Sequence, residues 1–367
     1  MKLLIINSVC GIKSTGRIAL NIAKEYKSNG WECKIAYGRD NPPEEYKDFC
    51  HRIGNKYSLL LNVISCRLFD NDGFAARRQT IKFLKWADLY NPDELWIHNL
   101  HGYYINVGLL FEWIKKRPNM KVKWTFHDCW PFTGHCCYFD YSGCNQWETG
   151  CLHCIAKTSY PSSYILKRAK YNLQRKKDAF SGVNDLTIIT PSKWLSSLVK
   201  KSFLKNYHVD VVNNVVDLNV FKPTAGSFKI DYGLNDKKIV LGVASPWSER
   251  KGLKDFVRLS ALLPDSYVIV LVGLSKEQIK KLPPNIIGIE KTNNAKELAT
   301  IYTASDIFVN ATYEDNYPTV NLEAQACGTT CITYNTGGSV ESVPSNCIVP
   351  KGDIESLAKK IIECTNE

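Results

Sequence analysis

The chain has 367 residues, of which 44% are hydrophobic and 23% are charged, and its formal net charge is +11. This length allows two domains with separate cores, and the composition excludes disordered and fibrous proteins. The apolar run after Met1 is too short for a signal peptide, and no uninterrupted apolar run reaches the roughly 18 residues of a membrane span. We therefore expect a cytosolic protein whose positive charge favours polyanionic partners.

Short apolar runs alternate with segments of helical periodicity along the first half of the chain. This pattern is typical of a parallel sheet wrapped by helices. The predicted strands are Leu3–Ile6, Cys33–Tyr37, Glu94–His98, Val122–Phe126 and Leu186–Thr190, and the intervening predicted helices are Arg17–Lys27, Ile81–Tyr90 and Val107–Lys116.

A second alternation of the same kind follows residue 213. Its predicted strands are Ile239–Ala244, Tyr267–Val272, Ile307–Asn310 and Thr330–Tyr334, with helices that begin near Leu253, Lys296 and Pro318. We interpret the chain as an α/β protein with two Rossmann-like, doubly wound domains, residues 1–213 and 214–352, followed by a helix within 353–367. Ligands of such sheets lie beyond the carboxyl ends of the strands, so we expect the active site between the two domains.

The segment from Asp315 to Glu323 places two carboxylates eight residues apart around the start of a helix. Proline is favoured in the first helical turn, and free backbone N–H groups there bind anions. Thr319 and Val320 can offer such groups to a phosphate, whereas Pro318 has none. The pattern predicts a nucleotide-sugar site in which Glu323 accepts ribose hydroxyls, although a glutamate in this position also compensates the helix dipole.

The run from Gly242 to Gly252 ends in Arg250 and Lys251 at a predicted strand-to-helix turn. A lysine supplies a point charge and an arginine a bidentate fork, and both suit a diphosphate leaving group whose charge grows in the transition state. The alternative interpretation is a basic turn without a ligand.

Two loops of the first domain are further candidates, because each follows a predicted strand. The glycines of Gly11–Arg17, including Gly16, allow close backbone approach to a ligand. Ser14 fits equally well as the N-cap of the next helix. His127 and the segment 98–102 end two other strands, where either a ligand contact or a structural role is open.

Six of the 14 cysteines lie between Cys129 and Cys154. Without a secretory signal we expect free thiols or metal ligands rather than disulfides. Four thiolates close in sequence can close a tetrahedral, structural zinc site, and His135, His153, Cys137 and Cys129 are alternative ligands. Buried free thiols are the competing interpretation. The favoured set, with seven, six and two residues between its members, is Cys136, Cys144, Cys151 and Cys154.

Four segments in order resemble motifs of the retaining family 4 glycosyltransferases, and the similarity runs nearly end to end. Together they are more specific than any one of them. The segments are Val212–Pro223, similar to an Asn-Gly-Val-Asp hinge with Asn214 in the glycine position; Gly242–Gly252, similar to the diphosphate-binding turn; Leu298–Val309, similar to the helix and strand before the donor loop; and Asp315–Gly328, similar to the donor-binding signature.

This resemblance implies a GT-B fold and a role for each matching residue. Lys251 corresponds to the diphosphate lysine, Glu323 to the ribose ligand, and His127 to a histidine that contacts the transferred sugar. Ser245 replaces the family's usual arginine, so Arg250 is its expected substitute. The catalytic candidates are His127, Arg250, Lys251 and Glu323, and the donor-binding candidates are Gly16, Ser245, Glu314, Asp315, Thr319, Val320 and Glu323.

The activity that the resemblance implies is retaining transfer of a hexose from a UDP- or GDP-sugar to a lipid-linked glycan, in the synthesis of a bacterial capsule, exopolysaccharide or O-antigen. The leaving phosphate would help to deprotonate the acceptor, so no catalytic metal is expected. The helix within 353–367 would pack back on the first domain. A cysteine-bearing insertion recurs in a bacterial polysaccharide subset of the family, which favours the four-cysteine zinc set within 129–154.

The basic segment from Lys167 to Lys177 predicts a peripheral position at the anionic inner face of the cytoplasmic membrane, unless it is only a solvated helical face. Two other functions stay open. A zinc-containing nucleic-acid-binding protein would usually be a small module, so nucleic acid is not an expected partner here. A GT-B protein that binds sugar nucleotides without catalysis is compatible with Ser245 and Asp315.

Overall fold

The computed structural model describes residues 1–366 and divides them into two compact units. The first unit is Met1–Asn213, and the second runs from Asn214 to the end of the described chain. Each unit is built on its own parallel sheet, so each has the layered helix-sheet-helix construction that the alternating pattern predicts.

The first unit contains a seven-stranded parallel sheet. Its strands are β1 (Lys2–Asn7), β2 (Glu32–Tyr37), β3 (Cys50–Arg52), β4 (Glu94–Ile97), β5 (Lys121–Thr125), β6 (Leu186–Thr190) and β7 (His208–Val211). Its helices are α1 (Lys13–Ser28), α2 (Lys56–Phe69), α3 (Arg77–Tyr90), α4 (Val107–Lys115), α5 (Ala169–Phe180) and α6 (Lys193–Lys201). The spatial order β3-β2-β1-β4-β5-β6-β7 makes β4 and β5 neighbours, so the loops that follow them meet at one edge of the sheet.

The second unit contains a six-stranded parallel sheet. Its strands are β8 (Lys238–Val243), β9 (Tyr267–Val272), β10 (Ile286–Ile289), β11 (Ile307–Asn310), β12 (Cys331–Tyr334) and β13 (Ile348–Val349). Its helices are α7 (Phe228–Asp231), α8 (Leu253–Leu259), α9 (Lys276–Ile279), α10 (Ala295–Ala304), α11 (Thr319–Ala326) and α12 (Ile354–Asn366). The spatial order is β10-β9-β8-β11-β12-β13, which places β8 beside β11. Among the described residues, none of these helices has the length and hydropathy needed to cross a membrane.

The start of α1 differs from the sequence prediction. The helix begins at Lys13, and Ile12 occupies the cap position without a side-chain cap hydrogen bond. Ser14 therefore lies inside the first turn, so the alternative interpretation of Ser14 as the N-cap is wrong. At α2, by contrast, Asn55 accepts hydrogen bonds from the backbone N–H groups of Tyr57 and Ser58 in a complete capping box, which fixes the start of a helix that the sequence pattern did not predict.

The core of the first unit is rich in aromatic rings. The Phe180 side chain at the end of α5 is fully buried. Its ring centroid lies 4.6 Å from that of Phe111 and 4.9 Å from that of Trp124. Because Phe111 lies on α4 and Trp124 on β5, this cluster joins two helices to the centre of the sheet.

Helix α12 carries apolar residues at helical spacing on one face. Ile354, Leu357 and Ile361 are buried in the core of the second unit, beside α8 and the strands β11 and β13. Helix α12 thus uses its apolar face within the second unit, whose sheet it covers. That the helix also packs back on the first domain stays a prediction.

We predict that Phe180→Ala lowers the free energy of unfolding of the first unit by about 3–5 kcal/mol, because the ring leaves a cavity among other rings. Phe69→Ala is the matched control, since that ring is 47% exposed. Urea unfolding of both variants measures the difference. Equal losses would show that the aromatic cluster does not carry this stability.

Candidate functional site

The turn between β8 and α8 brings two cations to the carboxyl end of the second sheet. Arg250 and Lys251 lie in a short 3₁₀ turn, Glu249–Lys251, that Gly252 closes with a φ of +77°. A Cβ atom at position 252 would lie 2.1 Å from the carbonyl oxygen of Ala311. Only glycine fits both the left-handed backbone and this close approach, so the turn is held firmly against the end of β11.

Lys251 forms an ion pair with Asp315, which follows β11. The loops meet because β8 and β11 are adjacent. The two side chains are 20% and 14% exposed, so the pair is mostly buried but reachable. Burial lowers the pKa of Lys251, and the charge of Asp315 opposes that shift. Burial also opposes ionisation of Asp315, but the charges of Lys251 and Arg250 outweigh it and lower the carboxyl pKa.

Arg250 connects the same two loops by another route. Its Nη1 donates to the carbonyl oxygen of Glu314, and its own carbonyl accepts from the N–H of Tyr313 at 2.8 Å. The Glu314 side chain is fully buried, whereas Asp315 keeps an exposed part. Burial therefore leaves the side chain of Asp315, and not that of Glu314, at the accessible side of the cluster. Ser245 is exposed in the loop after β8.

Glu323 lies on α11 and is 3% exposed. Its Oε2 accepts a hydrogen bond from the hydroxyl of Tyr302 at 3.2 Å. Thr319 and Val320 begin the helix directly after Pro318, and both are half-buried. The N-terminal end of a helix attracts anions, and these two residues supply its first backbone N–H groups.

Sequence reasoning missed the residue that positions α11. Asn321 is fully buried; its Oδ1 accepts from Asn310 Nδ2 at 2.8 Å, and its Nδ2 donates to Ser342 Oγ at 2.9 Å. Asn310 ends β11, so the amide pair fixes the helix to the strand. An asparagine inside the helical pattern was the only signal in the sequence, and a buried hydrogen bond is its physical reason.

The first unit has its own polar cluster at the ends of β4 and β5. His98 Nδ1 and His127 Nε2 lie 2.9 Å apart. Trp124 Nε1 donates to the carbonyl of buried His98 at 3.1 Å. Burial lowers the pKa of both imidazoles, that of His127 to about 4. At neutral pH the pair is therefore uncharged, and one ring donates to the other.

A second histidine in this unit, His101, pairs with Asp128: its Nε2 lies 2.8 Å from Asp128 Oδ2. His101 Nδ1 lies 3.1 Å from the Tyr160 hydroxyl, and Asp128 Oδ1 accepts from the N–H of Trp130 at 2.9 Å. His101, Asp128 and Cys137 have donor atoms within 4.8 Å of one another, and they form the group of possible metal ligands found in the described chain. Because its nitrogen and oxygen atoms already bond within the protein, we interpret it as a structural network.

Gly16 lies in the first turn of α1 and is buried. Its carbonyl accepts from the N–H of Gly11 at 3.1 Å, and a Cβ atom would lie 3.0 Å from Val9 Cγ2. A larger residue would push this loop outward.

The predicted site residues fall into two groups, one in each unit. Gly16 and His127 lie in the first unit, and the second unit contains Ser245, Arg250, Lys251, Glu314, Asp315, Thr319, Val320 and Glu323.

The four predicted zinc ligands lie together in the first unit. They line one small cavity of about 10 Å³, although the intervening segments are up to seven residues long. Cys136 and Cys151 are buried, and Cys144 and Cys154 are half-buried.

Residues 237–367 match the family model described as Glycosyl transferases group 1. WcaC of Escherichia coli (strain K12), a glycosyl transferase named for colanic acid biosynthesis, is 24% identical over 347 residues, which cover 88% of this chain and 80% of that protein. The second part of the chain is thus similar to the group 1 glycosyltransferases, and the similarity to WcaC extends over most of the chain.

Two solved structures show the same fold at low identity. Sucrose-phosphate synthase from Thermosynechococcus elongatus has a TM-score of 0.70 at 16% identity, over all of this chain and 90% of that one. Anabaena HepE, solved in complex with UDP and glucose, has a TM-score of 0.66 at 14% identity, over all of this chain and 90% of that one. The predicted GT-B fold with two Rossmann-like domains is confirmed.

We predict that acidification destabilises the first unit between about pH 6.5 and pH 4. The folded-state pKa of His127 is about 4, against 6.5 for a free histidine, so the unfolded chain binds more protons in this window. The stability is complete above pH 6.5 and is lost as the pH falls towards 4. The melting temperature, followed against pH, should fall less steeply for His127→Gln. His208→Gln, at a histidine whose side chain is 72% exposed, should keep the wild-type slope; identical slopes for all three proteins would contradict the assignment.

Proposed function

We propose that this protein is a retaining family 4 hexosyltransferase. Its donor is a nucleoside-diphosphate sugar with UDP or GDP, and its acceptor is a lipid-linked glycan in the synthesis of a bacterial surface polysaccharide. The observation that carries the proposal is the second-unit cluster, in which the buried Lys251–Asp315 pair belongs to the same sheet edge as the start of α11 and Glu323.

The cluster has the charges that a sugar-nucleotide donor needs. Its leaving group is a diphosphate, so negative charge grows as the glycosidic bond breaks, and a fixed ammonium group lowers the barrier most in a site shielded from water. Lys251 is such a group, and the N–H groups of Thr319 and Val320 add neutral donors. The hydroxyl of Tyr302 donates to Glu323 and orients its carboxyl group, which in this proposal accepts the ribose hydroxyls.

The relatives support the donor and the pathway class. HepE was solved with UDP and glucose, and the name of WcaC places it in colanic acid biosynthesis. Retention of configuration and transfer without a catalytic metal are part of our proposal. They agree with a cluster in which the ammonium group of Lys251 is already paired with the carboxylate of Asp315.

One observation favours a competing function, a GT-B protein that binds sugar nucleotides without transferring the sugar. Arg250 is the expected substitute for the arginine that Ser245 replaces. One of its guanidinium nitrogens donates a hydrogen bond to the carbonyl of Glu314. Fewer of its N–H groups then remain for a diphosphate. Turnover distinguishes the two functions, since binding alone releases no nucleoside diphosphate.

We predict that Lys251→Ala and Glu323→Ala each reduce kcat/KM for transfer by about 10²–10³, or roughly 2.7–4 kcal/mol, because each removes a preorganised contact to the donor. Release of UDP or GDP, with a lipid-linked acceptor present, measures the rate. Lys254→Ala is the matched control, since this lysine lies three residues further on and its side chain is 75% exposed.

Three outcomes are informative. Wild-type rates in folded Lys251→Ala and Glu323→Ala would remove the site. A rate loss in Lys254→Ala equal to that in Lys251→Ala would show that any charge at this turn suffices. A wild-type protein that is stabilised by sugar nucleotides but transfers to no lipid-linked acceptor would be a binding protein.

The acceptor is membrane-bound in this proposal, and the first unit has a surface of matching chemistry. A groove of about 1080 Å³ beside α5 is lined by five cations, Lys167, Arg168, Lys170, Lys177 and Lys201. Large apolar side chains are exposed in the same region of the chain, namely Leu152, Ile155, Tyr164, Ile165 and Tyr171. Basic and apolar side chains together are typical of surfaces that lie on anionic membranes.

Not all of the predicted basic segment is available for this contact. Lys176 is 1% exposed, and its Nζ donates to the carbonyl groups of Trp130 and Thr133 at 2.7 and 3.0 Å. Arg175 stacks on Phe74, with its guanidinium carbon 3.6 Å from the ring centroid. We correct the segment Lys167–Lys177 to its exposed cations, which point away from the core because α5 buries its other face.

We predict that Lys170→Glu/Lys177→Glu weakens binding to anionic vesicles by at least about 30-fold, because each surface lysine is worth roughly 1 kcal/mol. Flotation with vesicles of anionic and of neutral lipid measures the binding, which should fall as salt rises. The control Lys276→Glu/Lys280→Glu makes the same charge change at exposed lysines of α9 and the residue after it. Equal partitioning of the wild type onto neutral and anionic vesicles, or an equal loss in the control, would contradict this surface.

A further inference from the structure

Four cysteine side chains face one cavity that is too small for any organic ligand. The cavity measures about 10 Å³ and is lined by Cys136, Cys144, Cys151 and Cys154. A single water molecule needs about 10–15 Å³, so the space holds one atom-sized body at most. Its other walls are mainly apolar or aromatic, among them Phe139, Trp147, Ala156 and Ala169. The polar side chains of His135, Gln146 and His153 complete the lining.

Backbone N–H groups are directed at the sulfur atoms. The N–H of Gly134 donates to Cys151 Sγ at 3.3 Å, and the N–H of Ala156 bonds to the sulfur of Cys154. Such bonds stabilise a thiolate more than a thiol, because the charged sulfur is the better acceptor. Two of the four sulfur atoms thus already accept a backbone hydrogen bond, which each would keep as a thiolate ligand of a bound cation.

The structure also narrows the choice of ligands that the sequence left open. Both ring nitrogens of His135 are engaged: Nδ1 lies 2.6 Å from Asp70 Oδ1, and Nε2 lies 3.4 Å from the carbonyl of Ser159. Cys137 groups with His101 and Asp128 and does not line the cavity. His153 lines the cavity but is exposed at the surface. The four cysteines thus form a complete set without any histidine.

We propose that Cys136, Cys144, Cys151 and Cys154 bind one zinc ion as a structural site. On binding, each thiol loses its proton, and four sulfur–zinc bonds of about 2.3 Å form in tetrahedral geometry. Sulfur atoms in such a site are roughly 3.8 Å apart by the same geometry. In the described chain, the group of three potential ligand atoms that lie within 4.8 Å of one another belongs to His101, Asp128 and Cys137. The sulfur atoms of the four cysteines do not form such a group. Zinc binding would therefore draw these sulfur atoms together and contract the cavity.

The ion would cross-link the cysteine loop, residues 129–154, which packs against helix α5. The loop already packs tightly there, since a Cβ atom on Gly134 would lie 2.2 Å from the carbonyl oxygen of Ala169. Further along the helix, Lys176 holds the carbonyls of Trp130 and Thr133. Four protein ligands leave no open position for water or substrate, so the site serves the fold of the loop and takes no part in transfer.

The first test uses the wild-type protein, purified without added zinc and without a metal-affinity resin. Elemental analysis should give one zinc per chain, and the zinc X-ray absorption spectrum should show four sulfur neighbours at about 2.3 Å. A zinc content near zero in folded protein would overturn the proposal. A shell that contains nitrogen and oxygen would also overturn it, because that shell indicates the group of His101, Asp128 and Cys137.

The second test compares two cysteine variants from the same loop. Cys154→Ser should lose the zinc and melt at a lower temperature, because metal binding is coupled to folding of the loop. Cys137→Ser should keep one zinc per chain. The reverse result would move the ion to the other group and contradict the proposal. If Cys154→Ser does not fold, the wild-type absorption spectrum still decides the ligand set, and neither test depends on transfer activity.

Discussion

The ion pair between Lys251 and Asp315 is the interaction on which the second unit's site depends. It exists because β8 and β11 are neighbours and because Gly252 lets its turn approach the carbonyl of Ala311. A buried charge is stable only with a partner. The carboxylate therefore keeps the ammonium group charged in a place that water hardly reaches. The second contact between these loops, from Arg250 to the carbonyl of Glu314, holds the same geometry without adding an exposed charge.

The first unit also contains a buried lysine, Lys176, whose charge needs partners within the protein. Burial lowers the pKa of Lys176 to about 8, and the nearby charge of Asp72 opposes the shift. Its ammonium group lies 3.5 Å from the centroid of Trp130. Two carbonyl groups of the cysteine loop accept hydrogen bonds from it. One of the basic residues of α5 therefore holds this loop and does not face solvent. Charge in this protein is used inside each unit as well as on its surface.

The sequence predicted best those features that depend on local pattern. Buried apolar runs correctly predicted strands such as Tyr267–Val272, whose bounds match β9. The short strand Cys50–Arg52, at the edge of its sheet, has no apolar run and was not predicted. Spacing brought four cysteines into one hypothesis, and the structure places them around one cavity. The hydrogen bonds of Arg250 and the burial of Lys176 could not be predicted, because they depend on which loops become neighbours after folding.

The shorter acidic residue at position 315 has a physical consequence. A glutamate is usual there in the family that the sequence resembles, and its longer side chain extends further from the backbone. Asp315 instead ends at Lys251 while its other oxygen accepts from the N–H of Asn316 at 2.9 Å, so both carboxylate oxygens are occupied within the protein. An incoming diphosphate would meet a lysine that is already oriented and charged, and little reorganisation would be needed when negative charge develops. In the proposed site, the aspartate would act on the donor mainly by positioning the lysine.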